Sequence, residues 1–234
     1  GNTMPNHQPK PKRIASWSCL PKTGVVLVFG HRGEGKSALA WWLADEAHKQ
    51  GRQVAAFALS DQAKTALPKW VRHVETHQEV AKLKPCLVVA DEAAFKVHAR
   101  RAQSEANVEW TRLVAISRHK GHLLLFVGQH ARQLDVGLVA DADLVVMKRP
   151  SLLHLRFARP ELRPELEMAY ERFAKARGDK RAWSFVVDYH TGRVGFLRNG
   201  LPRFWSDKLS KAFAVVELAP ERKETKIRRV RCAS

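Results

Sequence analysis

Eight consecutive residues, Gly30-His31-Arg32-Gly33-Glu34-Gly35-Lys36-Ser37, fit the pattern GxxxxGK[ST]. The glycines let successive backbone N–H groups turn toward phosphate oxygens, and a helix opening at the lysine adds positive potential. Lys36 is placed to reach the β- and γ-phosphates of a nucleotide such as ATP, and the Ser37 hydroxyl to ligate Mg²⁺. The expected nucleotide-binding set is Gly30, Gly33, Glu34, Gly35, Lys36, Ser37 and Ala38. His31 and Arg32 fill variable positions of the loop and read as solvated.

Two further clusters share one feature, polar residues directly after an apolar run. Cys86–Ala90 (CLVVA) ends in Asp91-Glu92. A carboxylate at the end of a buried strand can hold a magnesium shell, the role expected for Asp91, and the next, Glu92, can act as general base on an attacking water. The competing reading is a capping pair at the start of the following helix, and Asp91 can do both. Leu123–Val127 (LLLFV) ends in Gly128-Gln129, which puts the Gln129 amide where it can touch a γ-phosphate and report hydrolysis.

The elements that must position these groups follow from periodicity. Gly24–Phe29, Val54–Leu59, Cys86–Ala90, Leu123–Val127 and Asp143–Met147 are short continuous apolar runs, as in strands covered on both faces. Between them, residues 36–49 and 105–119 repeat apolar side chains at helical spacing. Residues 62–83 read as helical with an interruption at Pro68. The alternation predicts an α/β fold, a parallel sheet flanked by helices with right-handed crossovers. After Pro160 a helix is expected, then a hairpin from Ser184–Tyr189 and Arg193–Arg198 around His190-Thr191-Gly192. The implied division is a flexible basic arm (1–23), a nucleotide-binding core (24–150), a helix and β-hairpin extension packed on the core (151–216), and a basic disordered tail (217–234). Gly1-Asn2-Thr3 reads as a remnant ahead of a natural start at Met4.

The 234 residues carry 41 Lys+Arg and 23 Asp+Glu, a net charge of +18. Residues 25–147 hold 16 basic and 13 acidic groups, so the excess sits in the arm and in the last third, with 21 basic against 10 acidic. Such a field attracts a polyanion, nucleic acid first. Three cysteines without CxxC spacing argue against a disulfide scaffold or zinc finger and for a reducing cytoplasm. No apolar run approaches the ~20 residues of a membrane helix, so the chain is not expected to be transmembrane. Lys96, His98, Arg100 and Arg101 follow the acidic pair in a polar stretch that could touch nucleic-acid phosphates without reading sequence, or be a solvated loop. His119, His122 and His130 lack an accompanying carboxylate or cysteine, and Gly121 interrupts the helix between the first two, so no metal site is expected there. Trp41 and Trp42 read as packing residues.

The order phosphate loop, Asp91-Glu92, helix, Ser117-Arg118-His119-Lys120-Gly121-His122, strand, Gln129 resembles the FtsK–HerA superfamily of DNA-pumping ATPases over about residues 24–150. The resemblance implies a P-loop NTPase of RecA/ASCE-like type, with ATP and Mg²⁺ as cofactors. It also implies that Arg118, with Gly121 three residues on, projects into a neighbouring subunit's site as an arginine finger; ending a helix just before the Gln129 strand, Arg118 is expected to point toward the active edge of the sheet. Gln129-His130-Ala131-Arg132 departs from the family's usual Gln-Arg-Pro. The small size resembles the genome-packaging ATPases of tailless membrane-containing viruses, as does Leu201-Pro202-Arg203-Phe204-Trp205-Ser206.

The resulting expectation is an ATP-hydrolysing translocase of double-stranded DNA, a hexameric or pentameric ring, packaging a viral genome in the host cytoplasm. It would meet a capsid vertex or a membrane protein of the virion. Competing readings are a nucleotide-switched DNA-binding adaptor, an assembly or export ATPase of a filamentous virus, and, last, a small-molecule kinase. The kinase reading leaves Glu92, Gln129 and the charge unused.

Overall fold

In the computed structural model, residues 12–128 and 136–218 are described. Six of the strands are parallel to one another: β1 (Gly24–Phe29), β2 (Val54–Phe57), β3 (Val71–Val74), β4 (Leu87–Asp91), β5 (Leu123–Gly128) and β6 (Leu144–Met147). The antiparallel pair β7 (Trp183–Asp188) and β8 (Arg193–Arg198) continues the same sheet from β6, in the order β3-β2-β4-β5-β1-β6-β7-β8. The central strands are buried along their whole length, β1 and β5 at all six positions, which is why their sequences are continuously apolar.

Helices cover both faces. Against one lie α1 (Lys36–Lys49), α2 (Asp61–Ala66) and α9 (Asp207–Leu218), which contribute Leu39, Trp41, Leu43, Ala63, Leu209 and Phe213. Trp41 is wholly buried between Phe204 and Phe213, and at ~25 cal/mol per Å² over ~200 Å² it contributes about 5 kcal/mol. Trp42 is half-buried and meets Trp17 edge-on at 5.8 Å. Against the other face lie α3 (His77–Lys82), α5 (Ala106–Lys120) and α8 (Arg163–Lys175), with Val80, Trp110, Leu113, Leu166 and Phe173. Helix α4 (Glu92–Arg101) sends Phe95 to this second face and Ala94 to the first. Two six-residue helices, α6 (Val136–Asp141) and α7 (Leu152–Phe157), flank β6.

Three expectations change. Residues 62–83 are not one interrupted helix, because Val71–Val74 pairs with β2 as an edge strand between α2 and α3. Its burial comes from a partner distant in sequence, so helical spacing misread it. The basic stretch after Asp91-Glu92 is helix α4, started by a side-chain cap, and not a loop. Within the segment expected as a flexible arm, residues 12–23 are docked. Ile14 is buried and its N–H donates to the Val194 carbonyl at 2.7 Å, while Trp17 Nε1 donates to the Arg198 carbonyl at 2.8 Å. This segment covers the otherwise open edge of β8. The remainder of the arm (1–11) and the tail beyond Leu218 lie outside the described residues.

Candidate nucleotide site

The register brings the candidate residues to one edge. Phe29 pairs with Gly128 and Asp91 with Val127, so the C-terminal ends of β1, β5 and β4 are level and adjacent. β5 lies between the strand that feeds the phosphate loop and the strand that feeds Asp91-Glu92. Gln129, which follows β5 in sequence, lies outside the described residues.

Gly33 and Gly35 have φ of 79° and 84°, left-handed values open to glycine at no steric cost. Gly35 is the N-cap of α1 and offers no capping side chain. Helices α2, α3, α4 and α7 are instead capped by Ser60, Thr76, Asp91 and Ser151. The first amides of α1 thus face outward, as anion binding requires. Lys36 is only 4% exposed, its Nζ donating to the His31 carbonyl at 3.4 Å across the loop. Glu34 takes a bidentate pair of hydrogen bonds from Arg149, 2.7 and 3.1 Å long, so the loop's central acid is tied to the end of β6. That pairing braces the loop through Glu34.

Asp91 does cap α4, its Oδ1 accepting from the Ala93 N–H at 2.9 Å. Glu92 leans over β5: a Cβ added at Gly128 would stand 3.2 Å from Glu92 Oε2. Lys96, one turn on, pairs with Glu92 at 3.0 Å, so one of the three expected nucleic-acid cations lies within reach of the candidate base. Arg100 and Arg101 are exposed near the end of the same helix.

Arg118 lies at the opposite edge of the sheet. Its guanidinium donates to the Asp141 carbonyl at 2.6 Å and pairs with Asp143 at 3.4 Å, and Asp143 in turn accepts from the N–H of Val25 at the start of β1. A helix that crosses over to begin β5 must end at that strand's N-terminal edge, about 20 Å of strand from the phosphate loop. The expectation that Arg118 faces the active edge of its own sheet is therefore corrected. The side chain is 45% exposed.

The walls of the site carry no motif that could have marked them in advance. A cavity of about 660 Å³ opens beside the loop, between Gly33, Lys36 and Ser37 on one side and Arg181, Asn199, Trp205 and Phe213 on the other. These last four come from the segment 180–182, the stretch between β8 and α9, and helix α9, far from the motif in sequence. Beneath the loop, Lys148 is 1% exposed and its ammonium donates to the carbonyls of Arg181 and Trp183, to Ser184 Oγ and to Asn199 Oδ1, at 2.6–3.2 Å. Burial pushes its pKa down to about 7. Gly30 packs against this side chain so closely that a Cβ would come within 2.7 Å of Lys148 Cβ. His122 is also buried, its ring hydrogen-bonded to the Cys86 N–H and the Val80 carbonyl.

Hard oxygen donors suit Mg²⁺, and the Ser37 hydroxyl and the Asp91 carboxylate are donors of that kind.

No protein-family model matches the chain, and no curated protein matches it in sequence. Solved structures do match in fold. The genome-packaging NTPase B204 of Sulfolobus turreted icosahedral virus 2, in complex with sulfate, aligns at 14% identity over 77% of this chain and 98% of its own, with a TM-score of 0.55. B204 of Sulfolobus turreted icosahedral virus, a DNA-packaging ATPase, aligns at 16% identity over 75% and 97%, with a TM-score of 0.52. The conjugation coupling protein TcpA of pCW3, with ATPγS, aligns at 13% identity over 84% of this chain and 65% of its own, with a TM-score of 0.53. Both kinds of protein are ATPases of FtsK–HerA type, and B204 has also been solved with ATPγS, AMPPCP and AMP. At these identities the likeness is one of fold: the chain has the P-loop NTPase fold that its sequence predicted.

Proposed function

We propose that this chain hydrolyses ATP to move double-stranded DNA, as a ring that packages a viral genome. The observation that carries the reading is the convergence of Lys36 and Ser37 with Asp91 and Glu92 at the level ends of β1, β5 and β4. The amides of the loop and Lys36 hold the β- and γ-phosphates. Ser37 and Asp91 hold Mg²⁺, which when bound neutralises charge on the phosphate oxygens. Glu92 takes the proton of the attacking water, and Gln129, which follows β5 in sequence, reads the γ-phosphate. The cavity toward Trp205 and Phe213 receives the base and ribose.

The loop of one subunit leaves the developing charge on the transferred phosphoryl short of a cation, and Arg118 of a neighbour supplies it. The exposed apolar side chains of α7, Leu152, Leu153 and Phe157, stand near the loop, with His154 5.7 Å from His31, and favour a neighbour seated there. The net charge of +18 and the fold likeness to packaging and conjugation ATPases favour DNA as the track, met through its phosphates and without sequence preference. Lys96, Arg100 and Arg101 on α4 are the proposed contacts. A host cytoplasm, with a capsid or membrane partner, completes the reading; no helix among the described residues is long and apolar enough to cross a membrane.

Steady-state ATP hydrolysis with and without duplex DNA tests the proposal. Many turnovers per bound duplex, faster with DNA present and independent of its sequence, are expected. Hydrolysis that ignores DNA, or stops after one turnover, overturns the motor reading.

A further inference from the structure

Three side chains from three helices converge beneath Phe57: His77 in the first turn of α3, His98 in α4 and Glu109 in the first turn of α5. Their ligand atoms all lie within 4.8 Å of one another. Glu109 Oε2 is hydrogen-bonded by His77 Nε2. His98 Nε2 stands 3.7 Å from the same oxygen, beyond hydrogen-bond reach. A hydrogen-bonded His77–Glu109 pair alone therefore gives His98 no role, whereas one ion would engage all three. Phe57 stacks on His77 with ring centroids 5.3 Å apart and meets His98 edge-on at 5.0 Å, which fixes both rings.

The site is enclosed and short of charge. Glu109 is 2% exposed, and its nearest cation, Arg112, is 3.5 Å from the other carboxylate oxygen with a largely exposed side chain. Burial works against ionisation of Glu109, but hydrogen bonds from Ser104 and His77 outweigh it and hold the carboxyl below the usual range. Burial lowers the pKa of His77 and favours the neutral ring. We propose that His77, His98 and Glu109 bind a divalent transition metal of the zinc class, clamping α4 to α3 and α5.

Two imidazoles and one carboxylate suit zinc better than magnesium or calcium. Bonds of about 2.0–2.2 Å to a tetrahedral ion put ligand atoms about 3.4 Å apart, within the reach of small side-chain rotations from the observed cluster. The fourth position falls to water on the side of His98, whose side chain is 17% exposed. His77 Nδ1 is buried with no hydrogen-bond partner, so no outer group fixes that ring's tautomer. Affinity should accordingly fall about 10–100-fold short of a site with a complete outer shell. The clamp bears on function through α4, which begins at the candidate base Glu92 and carries Arg100 and Arg101.

The full chain, stripped with chelator and free of nucleotide, is titrated with zinc against a chromophoric chelator, and its cobalt(II) form is read by visible absorbance. Expected is one site per chain with the strong absorbance of four-coordinate cobalt, and zinc affinity at least about tenfold weaker in His98→Ala and Glu109→Gln. His48→Ala, an imidazole outside the cluster, should leave affinity unchanged. Zinc should raise the Tm of the unsubstituted chain and not that of His98→Ala. Absence of a stoichiometric site, or a site that His98→Ala leaves intact, overturns the proposal. If either variant fails to fold, weak octahedral cobalt absorbance in the unsubstituted chain overturns it equally.

Discussion

Lys148→Met isolates the buried ammonium beneath the phosphate loop. Methionine keeps the Cβ and Cγ that pack under Gly30, and removes only the charge and its bonds to Arg181, Trp183, Ser184 and Asn199. Burial lowers the pKa of Lys148 from an ordinary 10.5 to about 7 in the folded chain. Below about pH 7 both folded and unfolded lysine are protonated, so the cost of burying the charge is fully present and does not change with pH. Between about pH 7 and about pH 10.5 the unfolded chain binds the extra proton, so stability must rise with pH in this window. At about 1.36 kcal/mol per pKa unit, raising the pH from about 7 to about 9.5 should stabilise the parent relative to Lys148→Met by about 3 kcal/mol. Urea unfolding of both proteins at several pH values measures this, because groups common to both cancel in the difference. A difference that stays flat to within about 0.5 kcal/mol would show that the four oxygens hold the proton against burial, and the argument from desolvation would fail.

Three further outcomes are expected. Gly30→Ala sets a Cβ 2.7 Å from Lys148 Cβ and 3.3 Å from its Cα, a clash with little room to relax, so nucleotide affinity measured by fluorescence titration should drop at least about tenfold, with a stability loss of about 1–3 kcal/mol. Gly128→Ala sets its Cβ 3.2 Å from Glu92 Oε2 and should displace that carboxylate by a few tenths of an ångström; kcat for ATP should fall about 3–10-fold with nucleotide affinity unchanged, and unchanged kcat would remove Glu92 from the base role. Arg118→Ala should bind ATP normally yet lose DNA-stimulated turnover, and mixing it with inactive Lys36→Ala should restore part of that turnover, since an intact Arg118 then faces an intact loop; full activity of Arg118→Ala alone would exclude a finger at this position.

Those features of the protein that depend on neighbours in sequence were legible without coordinates. The phosphate loop is a run of eight residues whose glycines, lysine and serine are set by their spacing in sequence, and the apolar runs beside it are the pattern of central strands. Asp91 and Glu92 follow such a strand, so their place at its end was fixed with it. What pairing and packing between distant segments decide was not legible. Val71–Val74 is a strand because β2 offers it an edge, and residues 12–23 are ordered because β8 does. Arg118 looked close to the site because it precedes the Gln129 strand, but a crossover helix returns to the start of its next strand and so ends at the far edge. Lys148 reads as one of many surface lysines until β7, β8 and residues 180–182 close over it with four oxygens. His77, His98 and Glu109 are separated by 21 and 11 residues of ordinary sequence, and only the packing of three helices against one sheet face makes them a cluster. Local chemistry is written in adjacent residues, whereas burial and convergence are properties of segments that meet only once the chain has folded.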